Sequence, residues 1–489
     1  MENPSIKKNY LYSMCYQLLI MILPLITAPY LARVVGAKGT GIYSYSYSIA
    51  QYFVYFSMLG ISNLGNRSIA KIRENKEMKN KTFTNIYILQ IITCTISFIA
   101  YIVYCNFVNE NKNIAILQGF YVFSAFFDIS WFFFGIENFK ITVTRQIIIK
   151  IFTTVCIFIF VKNTNDLWKY TLILSIGTFI GQVYLFISAK KYVKCTNVNI
   201  EESFRYFKQD LILFVPIIAT SIYRVMDKIM LGNMKNMSEV GYYENSDKLI
   251  MTCLGVIGSL GSVMLPRMTN LVAKGKKEEE KRYLSKSMEI TMFIAFAISF
   301  GIFSVAEEFI PIFYGKEFLP CINITKFLCI SSVFISWANV VRMQYLIPNE
   351  EDKIYVTSIV IGAVTNVLIN YLLIPRYGAN GAAIGTICAE LSVMLIQTVC
   401  CRNSLDIKGF IKKSVPFFMF GIIMLIIVRM IARLGNGSIE YLIFEIIIGG
   451  SVYIIFSIIY FNTAGCAVTV TQTALSSLSI RVIVPVPSI

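Results

Sequence analysis

The sequence predicts an all-α integral membrane protein of about fourteen transmembrane helices, built as two parallel six-helix repeats plus a C-terminal helix pair. Three observations carry this. The 489 residues are 56% hydrophobic and only 15% charged, against ~25% charged in soluble domains. Mean hydropathy is +0.65. Apolar runs of spanning length, ~20 residues each, recur along the whole chain. Finally, the chain repeats itself: Gly41 to Arg67 and Gly241 to Arg267 are stretches of equal length that keep the glycine, Tyr43/Tyr243, Ser46/Ser246 and the closing arginine at one offset.

The apolar runs lie near 10–32, 40–62, 84–105, 114–136, 141–161, 168–189, 209–231, 239–264, 288–313, 320–346, 354–374, 379–401, 413–434 and 438–461. The first run continues at full spanning length past Pro24 and Pro29, unlike a cleavable signal peptide. Two shorter echoes follow the long one in the same order. Ile129-Ser130-Trp131 recurs as Ile335-Ser336-Trp337, and Lys140-Ile141 with Val143-Thr144 recurs as Lys353-Ile354 with Val356-Thr357. The predicted organisation is an N-lobe over 1–190, an amphipathic linker over 191–208, a C-lobe over 209–401 and two further spans over 402–463. Six spans per repeat leave both lobes with the same orientation, so a pseudo-twofold axis runs along the membrane normal, with a site expected between the lobes. The tail, 464–489, lacks the Lys, Asn, Phe and Tyr that mark the rest of the chain; it is read as atypical, a non-native end, and given no function.

The net charge of +16 would suit nucleic acid, but its distribution does not. Basic residues collect in alternate loops: Arg67 to Lys81, Lys190 to Lys208, Arg267 to Lys286 and Arg402 to Lys413; the intervening loops hold one or two, such as Lys112, Lys235 and Arg376. This is the positive-inside pattern, which places both termini on the cytoplasmic side of a multi-pass protein. Membrane lipids are therefore expected partners, and nucleic acid is not. There is no histidine, which excludes serine–histidine triads and histidine metal sites. The twelve cysteines lie mostly in apolar spans and form no CxxC pair, as buried thiols acting as small hydrophobes would. Nucleotide-binding loops and metal signatures are missing, so no cofactor and no catalysis are expected.

Three stretches resemble a known family. LPLITAPYLARVVGAKGTGIYSY at 23–45, SIYRVMDKIMLGNM at 221–234 and KIYVTSIVIGAVTNVLINYLLIPRYGANGAAIGTICAE at 353–390 are similar to signatures of Wzx-type polysaccharide flippases. These belong to the multidrug/oligosaccharidyl-lipid/polysaccharide exporter superfamily. The likeness covers roughly 1–463 and implies a two-lobed bacterial plasma-membrane exporter with a MATE-like architecture. It implies movement of an undecaprenyl-diphosphate-linked oligosaccharide from the cytoplasmic to the outer leaflet by alternating access. A polysaccharide polymerase and glycosyltransferases of the same pathway are the implied partners.

Such a passenger needs a cationic route, and ionisable residues within a span are functional candidates by default. Arg224, Asp227 and Lys228 share one face of span seven by their spacing of three and four. The carboxylate would hold one cation while the rest bind phosphate, arginine through its planar fork and lysine as a point charge. Arg33 follows Pro24 much as Arg224 follows Pro216, so two arginines are expected to flank a diphosphate from opposite lobes. The competing reading has Arg33 at the headgroups. Pro24 and Pro216 are candidate hinges. Glu244, Asp247 and Lys248 form a second such patch at the start of span eight, and Arg342 and Lys150 are lone cations in spans ten and five. Asp128 and Glu390 are the candidate ion-coupling carboxylates. Tyr43, Tyr45 and Tyr47 suit sugars, though an interfacial aromatic belt is the commoner use; GGSV at 449–452 and GANGAA at 378–383 suit close helix packing. Two alternatives stand beside this reading. One is a cation-coupled exporter of small organic compounds, whose cavity should be acidic or apolar. The other is a glycosyltransferase or polymerase acting on the same lipid carrier, for which no loop is large enough to fold alone.

Overall fold

The computed structural model describes residues 6–194, 196, 200–435 and 437–463, with backbone only for 6–21, 200–203 and 463. The described chain is helical throughout, without strands. Eleven helices are long and apolar enough to cross a membrane. The tail over 464–489 lies outside the described residues.

The chain opens with α1 (Ile6–Met58), where the loop expected near 33–39 is absent. A single residue bends this helix: Gly36, at φ 71 and ψ 179, a conformation that only glycine adopts without strain. Pro24 and Pro29 sit inside α1, where Gly36 alone departs from helical geometry. Next come α2 (Ile61–Ile72) and α3 (Lys76–Phe107). The fourth expected span is broken. It runs as α4 (Lys112–Ser124), a 3₁₀ turn over Ala125–Phe127, and α5 (Ser130–Gly135). At the break, Asp128 Oδ1 accepts from Ser130 N at 3.1 Å and Ser130 Oγ at 2.6 Å, a local bond that competes with the helical ladder. The N-terminal half closes with α6 (Phe139–Phe160) and α7 (Leu167–Ala189).

The C-terminal half contains α8 (Ile200–Met234), α9 (Met237–Ala273), α10 (Lys277–Phe313), α11 (Cys321–Val341), α12 (Asp352–Tyr377) and α13 (Ala379–Cys400). The expected linker over 191–208 is therefore shorter than predicted, because its amphipathic stretch forms the first turns of α8. Pro216 lies inside α8. The fourth helix of this half is also irregular: α11 passes into a π-helical turn over Arg342–Leu346. The two Ile-Ser-Trp echoes thus sit beside the two irregular helices. Each tryptophan is buried with its indole N–H satisfied, Trp131 by Gln90 Oε1 at 3.1 Å and Trp337 by Thr398 Oγ1 at 2.9 Å.

Two more helices, α14 (Ile407–Ala432) and α15 (Ile439–Thr463), pack on α10. Arg429 of α14 joins them by ion pairs to Glu307 and Glu308 of α10, and Lys326 pairs with Glu307 at 2.5 Å. Gly449 abuts Val428 and Met424, and Gly381 abuts the Leu373 backbone, so both small-residue motifs serve close packing.

The duplicated glycines are where the halves meet. A Cβ on Gly41 would run into the Met237 carbonyl, and one on Gly241 into the Ala37 carbonyl. The two contacts are reciprocal, as a pseudo-twofold axis requires. Around them Ala37 N donates to Glu317 Oε1 at 2.9 Å and Tyr45 OH to Asn233 Oδ1 at 2.6 Å. One pole of the interface between the halves is closed by backbone contact.

Candidate functional site

A cavity of about 530 Å³ lies against this interface. Its walls come from both arms of α1, from α4, α6 and α7, and from the facing sides of α8 and α9. Uncharged polar groups dominate the N-terminal wall: Tyr43, Tyr47, Tyr121, Tyr170, Gln51 and Gln118. The rings of Tyr47 and Tyr121 stack with centroids 5.0 Å apart, as do Tyr43 and Tyr47 at 5.8 Å. Helical spacing in the second arm of α1 points Tyr45 the other way, into a separate 300 Å³ cleft beside Asn233.

Four cations line the cavity: Arg145 and Lys150 of α6, Lys228 of α8 and Lys248 of α9. One carboxylate, Glu244, lines it with them. Lys228 pairs with Glu244 at 2.5 Å and lies 3.8 Å from Asp247. Arg145 is nearly buried and donates to Gln182 Oε1 at 2.7 Å. Lys150 and Lys248 line the same cavity, and neither has a carboxylate at ion-pair distance among the described residues. Each cation within a bilayer costs about 2.5–3.5 kcal/mol by insertion scales. On the cavity lining, four cations face one carboxylate.

The sequence candidates divide into groups. Lys228, Lys248, Lys150 and Pro24 are on the cavity wall, with Asp247 just behind. Arg224, Arg342 and Glu390 belong to a second group. Arg224 is solvent-exposed one turn along α8 and feels the charges of Glu390 and Asp247, while Glu390 is nearly buried in the fields of Arg224 and Arg342. Arg342 lies 6.0 Å from the Tyr355 ring.

Three candidates stand elsewhere. Arg33 is exposed and donates to Ile312 O at 2.5 Å, beside Gly315. Only three residues before the Gly36 bend, it is carried to the closed pole, where it meets a free carbonyl at the end of α10. The expected pair of arginines flanking one ligand is not formed. Asp227 points into the C-terminal half and is 1% exposed. It accepts from Tyr243 OH at 2.6 Å, Asn370 Nδ2 at 2.5 Å and Thr386 Oγ1 at 3.2 Å. It is held by neutral donors, not by Arg224 or Lys228. Asp128 lies away from the cavity, at the break in the fourth span, where its Oδ1 holds the Ser130 amide and hydroxyl. No group of three metal-ligating side chains occurs among the described residues.

Sequence reasoning reaches Tyr43 and Tyr47 but passes over Arg145 and the rest of the wall, Tyr121, Tyr170, Gln51 and Gln118. Arg145 lies inside the apolar run 141–161, and the rule that flagged Lys150 there would have found it too. The other wall residues have no comparable signal, because neutral polar residues on one helix face scarcely disturb hydropathy.

Comparison with known proteins agrees with this geometry. Residues 6–272 match the polysaccharide biosynthesis protein family. A Shigella dysenteriae protein described as an O-antigen transporter is 24% identical, with 80% of this chain and 98% of that protein aligned. An Escherichia coli K12 protein of the same description is 22% identical over 82% and 97%. Among solved structures, lipid II flippase MurJ in an inward closed conformation superposes with a TM-score of 0.75 over 93% of this chain and 99% of that one, at 18% identity. An inward-facing multidrug-resistance MATE transporter of the MOP superfamily gives 0.56 over 81% and 99%, at 16% identity. The chain belongs to the polysaccharide biosynthesis protein family.

Proposed function

We propose that this protein is a flippase for a lipid-linked oligosaccharide, carrying an undecaprenyl-diphosphate headgroup from the cytoplasmic to the outer leaflet of a bacterial plasma membrane. One observation carries the reading: the cavity between the halves places four cationic side chains around a single lining carboxylate. Its size, about 530 Å³, is within the ~300–1,000 Å³ of small-ligand sites. A diphosphate and its first sugars fit that space while the polyprenyl tail stays in lipid. Lysines supply charge to the phosphates, and tyrosine and glutamine supply stacking and hydrogen bonds to the sugars.

The two arms of α1 and the charged α8, added to the eleven apolar helices, complete fourteen spans. The basic loops set the cytoplasmic pole, so the pole closed by Gly41 and Gly241 is the outer one. Outward opening separates the glycine contacts; inward opening separates the halves at the basic pole, where Gly60 abuts Asp210. Glu390, buried in α13 within the fields of Arg224 and Arg342, is the carboxylate we propose to sense an ion or proton during this cycle.

A MATE-like exporter of organic cations would share the fold, but the surplus of positive charge disfavours its substrate. Reconstitution distinguishes them. Purified protein in vesicles should move a fluorescent undecaprenyl-diphosphate sugar between leaflets, and Lys228→Gln with Lys248→Gln should lower the rate at least tenfold while both variants still insert. Unchanged rates would discard the cavity as the route.

A further inference from the structure

The cavity already holds an anion of its own. Glu244 Oε2 takes the Lys228 ammonium at 2.5 Å and the Ser44 hydroxyl at 3.0 Å. Ser44 belongs to α1 and Glu244 to α9, so the carboxylate bridges the two halves. The pair has a further property. Each stands three residues after the glycine that opens its duplicated stretch, Gly41 or Gly241. They are two copies of one position, meeting where the halves meet, with a donor in one copy and an acceptor in the other. The glycine contacts beside them show the same reciprocity.

A carboxylate and a phosphate oxygen ask the same of a lysine and a hydroxyl: charge-assisted hydrogen bonds at short range. A diphosphate brings more charge than one carboxylate, and it meets Lys150 and Lys248, which Glu244 leaves without an ion pair. We infer that Glu244 is a resident counter-ion, which holds Lys228 and Ser44 while the cavity is empty and which the anionic headgroup displaces. Displacement frees Lys228 for the ligand and breaks the Ser44–Glu244 bond in one event. Occupancy of the cavity thereby loosens the contact between the halves. This inference rests on the reading of the cavity as a diphosphate site.

The test uses the full-length protein in nanodiscs of uncharged lipid, with inorganic diphosphate as the probe and calorimetric titration as the readout. Glu244→Gln removes the competing charge and keeps the shape; it should bind diphosphate about tenfold more tightly than wild type, the scale of one charge-assisted contact. Lys228→Gln should lose binding. Orthophosphate and sulfate should gain less from Glu244→Gln than diphosphate does. If Lys228→Gln loses binding while Glu244→Gln binds as wild type or more weakly, the counter-ion inference is overturned and the cavity reading stands. If Lys228→Gln matches wild type, or no variant binds, the cavity reading itself falls. Should Glu244→Gln not fold, Glu244→Asp, too short to hold both partners, takes its place under the same criterion with a several-fold gain expected.

Discussion

At the scale of single residues, what matters is which charges a neighbour has already spoken for. Asp227 and Lys228 are adjacent in sequence, yet their side chains diverge. The carboxylate turns into a nest of hydroxyl and amide donors, and the ammonium turns to the cavity. Spacing on a helix predicts a shared face within a turn, but which of two adjacent residues points inward depends on the partner helices. Arg33 illustrates the same limit, because its sequence context matches that of Arg224 and its surroundings do not. Capping a helix end is worth about 0.3–1 kcal/mol. Arg33→Ala should therefore retain translocation within a few-fold of wild type and lower the melting temperature only slightly. A loss as deep as that of Lys228→Gln in the same vesicles would return Arg33 to the binding site. Lys228 was legible because a cation in an apolar run is costly, and the opposite directions of spans seven and eight bring the Glu244 patch within its reach; the choice of Glu244 over Asp247 was not legible, since it requires the packing of α8 against α9.

At the scale of helices, positions were legible and interruptions were not. Hydropathy marks the runs because the bilayer demands length and apolarity. It is blind to Gly36, which replaces a loop by a bend, and to Asp128, whose side chain binds the Ser130 backbone at the break in the fourth span. The duplicated glycines were visible as an echo, but their use, backbone against backbone, belongs to the tertiary structure. Gly41→Val places two methyl groups where the Met237 carbonyl lies. The closed pole should then fail to seal, translocation should fall, and a cysteine at Asn233 should react several-fold faster with an impermeant maleimide applied from outside. Unchanged labelling would show that this pole is not held by the glycine contact. The C-terminal pair makes a separate claim. Arg429→Met leaves Glu307 and Glu308 without their shared partner, at a cost of about 1–3 kcal/mol. The variant should lose several degrees of thermal stability in detergent and keep its diphosphate affinity, since α14 and α15 do not touch the cavity.

At the scale of the whole molecule, a repeated sequence has become two halves with unlike walls. The N-terminal wall offers tyrosines, glutamines, Arg145 and Lys150; the C-terminal wall offers Lys228, Glu244 and Lys248. The repeat was readable because it lies in the chain itself, whereas the asymmetry arises at the few positions where the copies differ, such as Ser44 and Glu244. Fold alone does not choose the passenger, since MurJ and a MATE transporter both superpose on it. In the proposed function, the sign of charge in the cavity chooses. The most direct measurement is therefore a charge reversal: Lys228→Glu with Lys248→Glu in vesicles supplied with both a fluorescent lipid-linked diphosphate sugar and a fluorescent organic cation. Wild type should move only the diphosphate lipid and the reversed protein should not move it. Diphosphate transport that survives the reversal, or organic cation transport by wild type, would contradict a cationic passage through this cavity.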